Sequence, residues 1–214
     1  MLVSNIMTRN PVFIHPELSL ADARLIMDKQ RIGHLPVLNK NNELVGLITR
    51  ADLLKAGPSS ATTLDMYEIS YLLSKLTVEK IMEKTVIIVQ ENEVVEEAAR
   101  IMADQGIGCL PVMNGPLLTG IVTDTDIFHF FINAYGARHK GIRIIINFKE
   151  KPGQFAAFTS AIAEKGGNIV ASVSSEGDDV AHRRATFKIT GISRAVVEEV
   201  AGNLDGAEIE DIRE

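Results

Sequence analysis

The sequence predicts a mixed α+β protein, with α/β-type alternation of strands and helices, built from three small units of which two are copies of each other. Three observations carry this. Segments recur at a fixed offset, each copy alternates short β-branched runs with one helical period, and beyond about residue 138 the alternation changes to a different plan.

The repeat is direct. "VSNIM" from Val3 returns as "VEKIM" from Val78, and "ADARLIMDKQRIGHLPV" from Ala21 returns as "EEAARIMADQGIGCLPV" from Glu96, both 75 positions on. "GLITRADLL" from Gly46 returns as "GIVTDTDIF" from Gly120, 74 positions on, because the second copy loses one residue in the polar turn before it. Each copy reads as a short β run ("PVFI", "VIIV"), then a helix, two strands and a last helix, giving β-α-β-β-α twice. The first helix of each is called by apolar residues at Leu20, Ala23 and Met27, or Val95, Ala98 and Met102. We take residues 1–56 as the first repeat and 78–135 as the second.

Between them, residues 57–77 begin with the breakers Gly57, Pro58, Ser59 and Ser60. An amphipathic helix follows, its stripe of Met66, Ile69, Leu72, Leu73 and Leu76 suited to cover the pair or a second subunit. Residues 139–214 read as strand, turn, helix, two strands around "EGDD", a helix behind Ser193 and a closing strand. That β-α-β-β-α-β order is the ferredoxin-like plan.

Composition narrows the partners. Of 214 residues 46% are hydrophobic, enough for real cores, while aromatic residues are 5% and Trp is absent, which disfavours base-stacking platforms. A net charge of −6 lacks the basic footprint that nucleic acid or an anionic membrane needs. No apolar run reaches the roughly 18 residues of a spanning helix, and the start lacks the order of a signal peptide. Cys109 is alone, which fits a small buried hydrophobe and a cytoplasmic setting. The five histidines show no ligand spacing, so no metal site is expected.

The duplicated Thr-x-x-Asp, Thr49 with Asp52 and Thr123 with Asp126, has two readings. One is a capping box, the hydroxyl accepting an amide and the carboxylate reaching back. The other is a ligand site, in which the free amides of a helix N-terminus and the Thr hydroxyl meet a phosphate while the carboxylate accepts a ribose diol. Gly46 and Gly120 would allow another backbone or a ligand to approach. Ile32, His34, Ile107 and Cys109 are clamp positions for an adenine ring, or core residues.

"RIGHLPV", "GIGCLPV" and the two "G-h-h-T-x-x-D" turns resemble tandem CBS domains over about residues 1–135. The resemblance implies a pseudo-two-fold pair with up to two clefts for adenosine-bearing ligands such as AMP, ADP, ATP or S-adenosylmethionine. Thr49 and Thr123 would then meet phosphate, and Asp52 and Asp126 the ribose. "EKPGQF" from Glu150 and "GGNI" from Gly166 resemble an ACT domain, which implies either an amino-acid site using Pro152, Gly153, Asn168 and Ile169 or a dimerisation fold without a small ligand. The order of the three units is similar to the acetoin-utilisation protein B family, a cytoplasmic group, and points toward acetoin or carbon metabolism.

The two clefts are not expected to be equal. Residues 1–55 carry a net +2 and residues 78–133 a net −6, and Arg50 stands where the second copy has Asp124. A guanidinium there could pair with a phosphate, which a carboxylate would repel; alternatively Arg50 is a solubility residue. The Thr49, Arg50, Asp52 site is therefore expected to take a phosphorylated adenine nucleotide, and the Thr123, Asp126 site to be empty or to hold a less negative ligand. With no nucleophile and base pair, phosphate loop or paired carboxylates, the expectation is a homodimeric sensor rather than an enzyme. The competing reading is a homodimeric adaptor with degenerate clefts.

Overall fold

The structure, a computed structural model, describes residues 1–56, 65, 68, 71, 75–177 and 179–214, so the amphipathic helix expected over Met66–Leu76 lies largely outside the described residues. The chain forms two compact units, Met1–Ile127 and Phe128–Glu214.

In the first unit, β1 (Thr8–Arg9) precedes α1 (Leu20–Gln30), β2 (His34–Leu38), β3 (Leu44–Thr49) and α2 (Arg50–Ala56). The second copy supplies β4 (Val89–Gln90), α3 (Val95–Gln105), β5 (Cys109–Asn114), β6 (Leu117–Thr123) and α4 (Asp124–Ala134), whose end belongs to the second unit. The helical periods hold, since Leu20, Ala23 and Met27 are buried on α1 and Val95, Ala98 and Met102 on α3. Ser19 starts α1 by accepting the Asp22 amide at 3.1 Å. The hairpins match: β2 pairs with β3 so that His34 faces Thr49, β5 with β6 so that Cys109 faces Thr123, and each has a register shift after the same valine, Val37 or Val112.

The runs "PVFI" and "VIIV" are mostly not strands. Ile14 alone makes a bridge, to Val37, and only Val89 of its run enters β4; Val12, Phe13, Ile87 and Ile88 remain 37–43% exposed.

The two copies exchange their leading turns, which the linear reading had kept each with its own copy. β1 pairs with β6 of the other copy, Thr8 opposite Ile121 and Arg9 opposite Gly120, while Glu83 bridges Leu47 of β3. Val3 and Met7 enter the core of Leu110, Val112 and Val122, and Val78 and Met82 that of Leu35, Val37 and Ile48. Both cores present the same apolar groove to near-identical turns, so burial alone does not distinguish the two pairings.

The second unit contains β7 (Ile142–Lys149), α5 (Gln154–Glu164), β8 (Asn168–Glu176), β9 (His182–Thr190), α6 (Arg194–Gly202) and β10 (Ala207–Arg213). Its sheet runs β10-β7-β9-β8, antiparallel throughout. Strict alternation on β7 buries Ile142, Ile144, Ile146 and Phe148 against Phe158, Ile162, Phe187, Val197 and Val200. Phe187 anchors an aromatic group, 4.6 Å from Phe158 and 4.8 Å from Phe155 between ring centroids. The unit begins ten residues before the limit near 138 expected from the sequence, and the turn that follows α4 packs on this sheet. Gly136, at φ 60°, lies against Ala171 and Lys188, and Lys188 Nζ donates to the Gly141 carbonyl at 2.7 Å.

Candidate functional site

Both strand-to-helix corners close as capping boxes. At the first, the Asp52 amide donates to Thr49 Oγ1 at 3.2 Å, and Asp52 Oδ2 accepts from the Thr49 amide at 2.9 Å and hydroxyl at 2.7 Å. At the second, the Asp126 amide donates to Thr123 Oγ1 at 3.3 Å, and Asp126 Oδ2 accepts from the Thr123 amide and hydroxyl, each at 2.8 Å. Both hydroxyl protons are thus directed at aspartates, so a ligand meets each Thr oxygen as an acceptor, not as the donor expected from the sequence. Oδ1 of each aspartate accepts no hydrogen bond from a described residue.

Each corner opens onto a cavity. The first, about 610 Å³, is lined by Thr49, Arg50, Asp52 and Lys55 of the first copy, by Val86 and Ile87 of the second copy's leading run, and by Gly106, Ile107, Gly108 and Cys109. The second, about 410 Å³, is lined by Thr123, Asp124 and Asp126, by Asn10, Pro11 and Val12, and by Arg31, Ile32, Gly33 and His34. Both volumes fall in the range of small-molecule sites. The four clamp positions are therefore divided crosswise: Ile107 and Cys109 stand with Thr49 and Asp52, and Ile32 with Thr123 and Asp126. His34 reaches both cavities. Ile32 and Ile107 also pack against the cores of their own copies.

Sequence reasoning missed the exposed apolar residues Val12 and Ile87, which lie on the walls at equivalent positions of the two leading runs. The available signal was a β-branched run repeated without a partner strand. Gly46 and Gly120 do allow close approach, but of the exchanged turns: a β-carbon on Gly46 would meet Met82 and the Glu83 carbonyl, and one on Gly120 would meet Met7 and the Thr8 carbonyl.

Electrostatics separates the cavities. Arg50 does not extend freely into the first, because Nη1 donates to Asp28 Oδ1 at 2.6 Å and Nη2 to the Ile32 carbonyl at 3.1 Å. Lys55 remains there without a described partner. In the second, Asp124 Oδ1 accepts from the Thr125 amide at 2.6 Å and hydroxyl at 3.2 Å. Burial holds the His34 imidazole below its ordinary pKa against the opposing pull of Asp124 and Asp52. Burial also pushes the Cys109 thiol up to about 12, with Asp124 and Asp52 adding to the shift. No cluster of three or more potential metal-ligating His, Cys, Asp or Glu side chains occurs among the described residues, and no described helix is long and apolar enough to cross a membrane.

In the second unit, Pro152 and Gly153 form the turn into α5, Gly153 taking φ 91°, and Asn168 and Ile169 open β8, where Ile169 packs against the core.

The CBS domain model matches residues 3–59 and 78–133. The L-aspartate semialdehyde sulfurtransferase of Methanocaldococcus jannaschii is 33% identical over 131 residues, covering 61% of this chain and 23% of that protein. The homoserine O-acetyltransferase of Methanohalobium evestigatum is 32% identical over 126 residues, covering 58% and 23%. The chain thus spans about a quarter of the length of these two relatives. Among solved structures, the domain pair of protein MJ0100 in complex with 5′-methylthioadenosine and S-adenosylmethionine is 31% identical, with a TM-score of 0.52 over 65% of this chain and 98% of that one. A putative acetoin utilization protein from Vibrio cholerae is 30% identical, with a TM-score of 0.53 over 64% and 95%. CBSX2 in complex with AMP is 28% identical, with a TM-score of 0.50 over 61% and 96%.

Proposed function

Because the chain belongs to the CBS domain family, we propose that it is a regulatory sensor whose two clefts bind adenosine-containing ligands, AMP, ADP, ATP or S-adenosylmethionine, and transmit occupancy to an oligomer or partner. The observation that carries this reading is that each Thr-x-x-Asp corner lines a cavity while one oxygen of its aspartate stays open. That oxygen suits a ribose diol. The apolar wall, Ile107 with Ile87 in one cavity and Ile32 with Val12 in the other, suits the faces of a purine.

Transmission follows from where the walls originate. Each cavity is lined by residues from both copies, so a ligand favours the arrangement of the copies that closes on it, and its differential affinity for the two arrangements is the signal. Domain pairs of this family are generally regulatory rather than catalytic, and a Cys109 thiol at about 12 is a poor nucleophile. We further propose that the second unit is an ACT domain supporting a homodimer, on the strength of its element order and the "EKPGQF" and "GGNI" segments, and that the regulated process is acetoin or carbon metabolism, on the likeness to the Vibrio cholerae protein.

Thermal unfolding across an adenosine series tests the sensor. A true ligand at about 100 times its Kd adds roughly 2.7 kcal/mol of stability. No shift with AMP, ADP, ATP or S-adenosylmethionine would leave the adaptor reading in its place.

A further inference from the structure

The smaller cavity differs from the larger in which charges it leaves unpaired. Arg31 ends α1 in the left-handed region, at φ 55°, where the second copy ends α3 with Gly106 at φ 64°. The backbone bonds are equivalent, to the Met27 and Asp28 carbonyls in one copy and the Met102 and Ala103 carbonyls in the other. Glycine occupies this conformation without strain, and a side chain there is unfavourable by about 1–2 kcal/mol. The Arg31 side chain is exposed, and its guanidinium makes no hydrogen bond or ion pair with a described residue, so no pairing accounts for it. It stands on the cavity wall.

The same cavity carries the opposite sign. Asp124 replaces Arg50, and while its Oδ1 accepts from Thr125, its Oδ2 takes no described hydrogen bond and points toward Gly108. Asp126 Oδ1 is likewise open. One guanidinium and two carboxylates thus line a single space without forming an ion pair across it. A 5′-phosphate would meet both carboxylates at once. A ligand bearing a cation and a carboxylate would satisfy both signs.

We propose that the cleft of Thr123, Asp124, Asp126 and Arg31 is selective for an adenosine whose 5′ substituent is zwitterionic, of the S-adenosylmethionine type. Asp126 takes the ribose, Asp124 faces the sulfonium or ammonium, and Arg31 pairs with the terminal carboxylate. The larger cleft, with Lys55 and Arg50, is left to adenosine phosphates. The proposal rests on the adenosine reading above and assigns a ligand class to one of its two sites.

Titration calorimetry of the full chain with S-adenosylmethionine, 5′-methylthioadenosine and AMP tests it. Arg31→Gly introduces the residue the second copy already uses, so the fold is retained, and unfolding without ligand checks this. In Arg31→Gly the affinity for S-adenosylmethionine falls roughly tenfold or more, as for a lost charge-assisted pair, while those for 5′-methylthioadenosine and AMP change less than about twofold. Asp124→Asn weakens S-adenosylmethionine by a similar factor and spares 5′-methylthioadenosine. If AMP binds but S-adenosylmethionine is indifferent to both substitutions, or if 5′-methylthioadenosine weakens equally, the proposal is overturned and the sensor reading survives. If the wild-type chain binds none of the three, both fall.

Discussion

The side chain of Met82 occupies the space where a β-carbon on Gly46 would lie, with Met82 Cγ 2.9 Å from that position; Met7 stands the same way over Gly120, its Cγ at 3.0 Å. The exchanged turns are therefore seated on glycines that serve packing between the copies. Their backbones are as close, since the Glu83 and Thr8 carbonyls each lie 3.1 Å from the respective β-carbon positions.

Gly46→Ala should destabilise the first unit by about 1–3 kcal/mol, as for other overpacked sites. Met82→Ala shortens the obstructing side chain, so the double variant should lose less than the sum of the two single losses. Denaturant unfolding of the four proteins measures the coupling, and strict additivity would contradict the contact.

Arg50 is held by Asp28 and the Ile32 carbonyl, an arrangement that competes with any phosphate in the larger cleft. Asp28→Ala removes the carboxylate partner. The pair is about half exposed, so stability should change by no more than about 1 kcal/mol, whereas AMP affinity should rise by severalfold. Calorimetry with AMP checks this, and weaker binding in Asp28→Ala would mean that the tether positions Arg50 for the ligand.

His34 makes stability depend on pH. Burial lowers its folded pKa below 6.5, so below that value the unfolded chain takes up the proton more readily than the folded one. The contribution of His34 is complete above 6.5 and declines as pH falls through and below it. Between about pH 8 and pH 5.5, the drop in Tm should be smaller in His34→Cys, which carries the residue of the equivalent position, than in the wild-type chain. Identical drops would show that burial of the imidazole is not felt. Asp124 and Asp52 oppose the shift.

Cys109 should resist alkylation. With its thiol pushed up to about 12 and 3% of its surface exposed, iodoacetamide at about pH 8 should label it far more slowly in the folded chain than in denaturant. Mass spectrometry of the intact protein reads the difference, and rapid labelling of the folded chain would contradict its burial.

The helix and hairpin of each copy, the buried faces of α1 and α3, the capping boxes at Thr49 and Thr123 and the β7 alternation were legible in the sequence, whereas the leading runs "PVFI" and "VIIV" read as strands and mostly are not. Each depends on residues within a turn or two, or on a strand of period two, and such patterns survive in one dimension. The two copies, the helices α1 and α3 and the order of elements in the third unit follow from them.

The tertiary structure decided the rest: that Met7 and Met82 cross to the other copy, that Ile107 and Cys109 stand with Thr49 while Ile32 stands with Thr123, that Val12 and Ile87 become cavity walls, and that Arg50 turns to Asp28 while Arg31 is left unpaired. A repeat makes its two cores nearly interchangeable, and the entropy of closing a longer loop grows only slowly with length, so no local pattern records which turn seats on which core. Which charges meet across a cavity is settled only once those turns are in place.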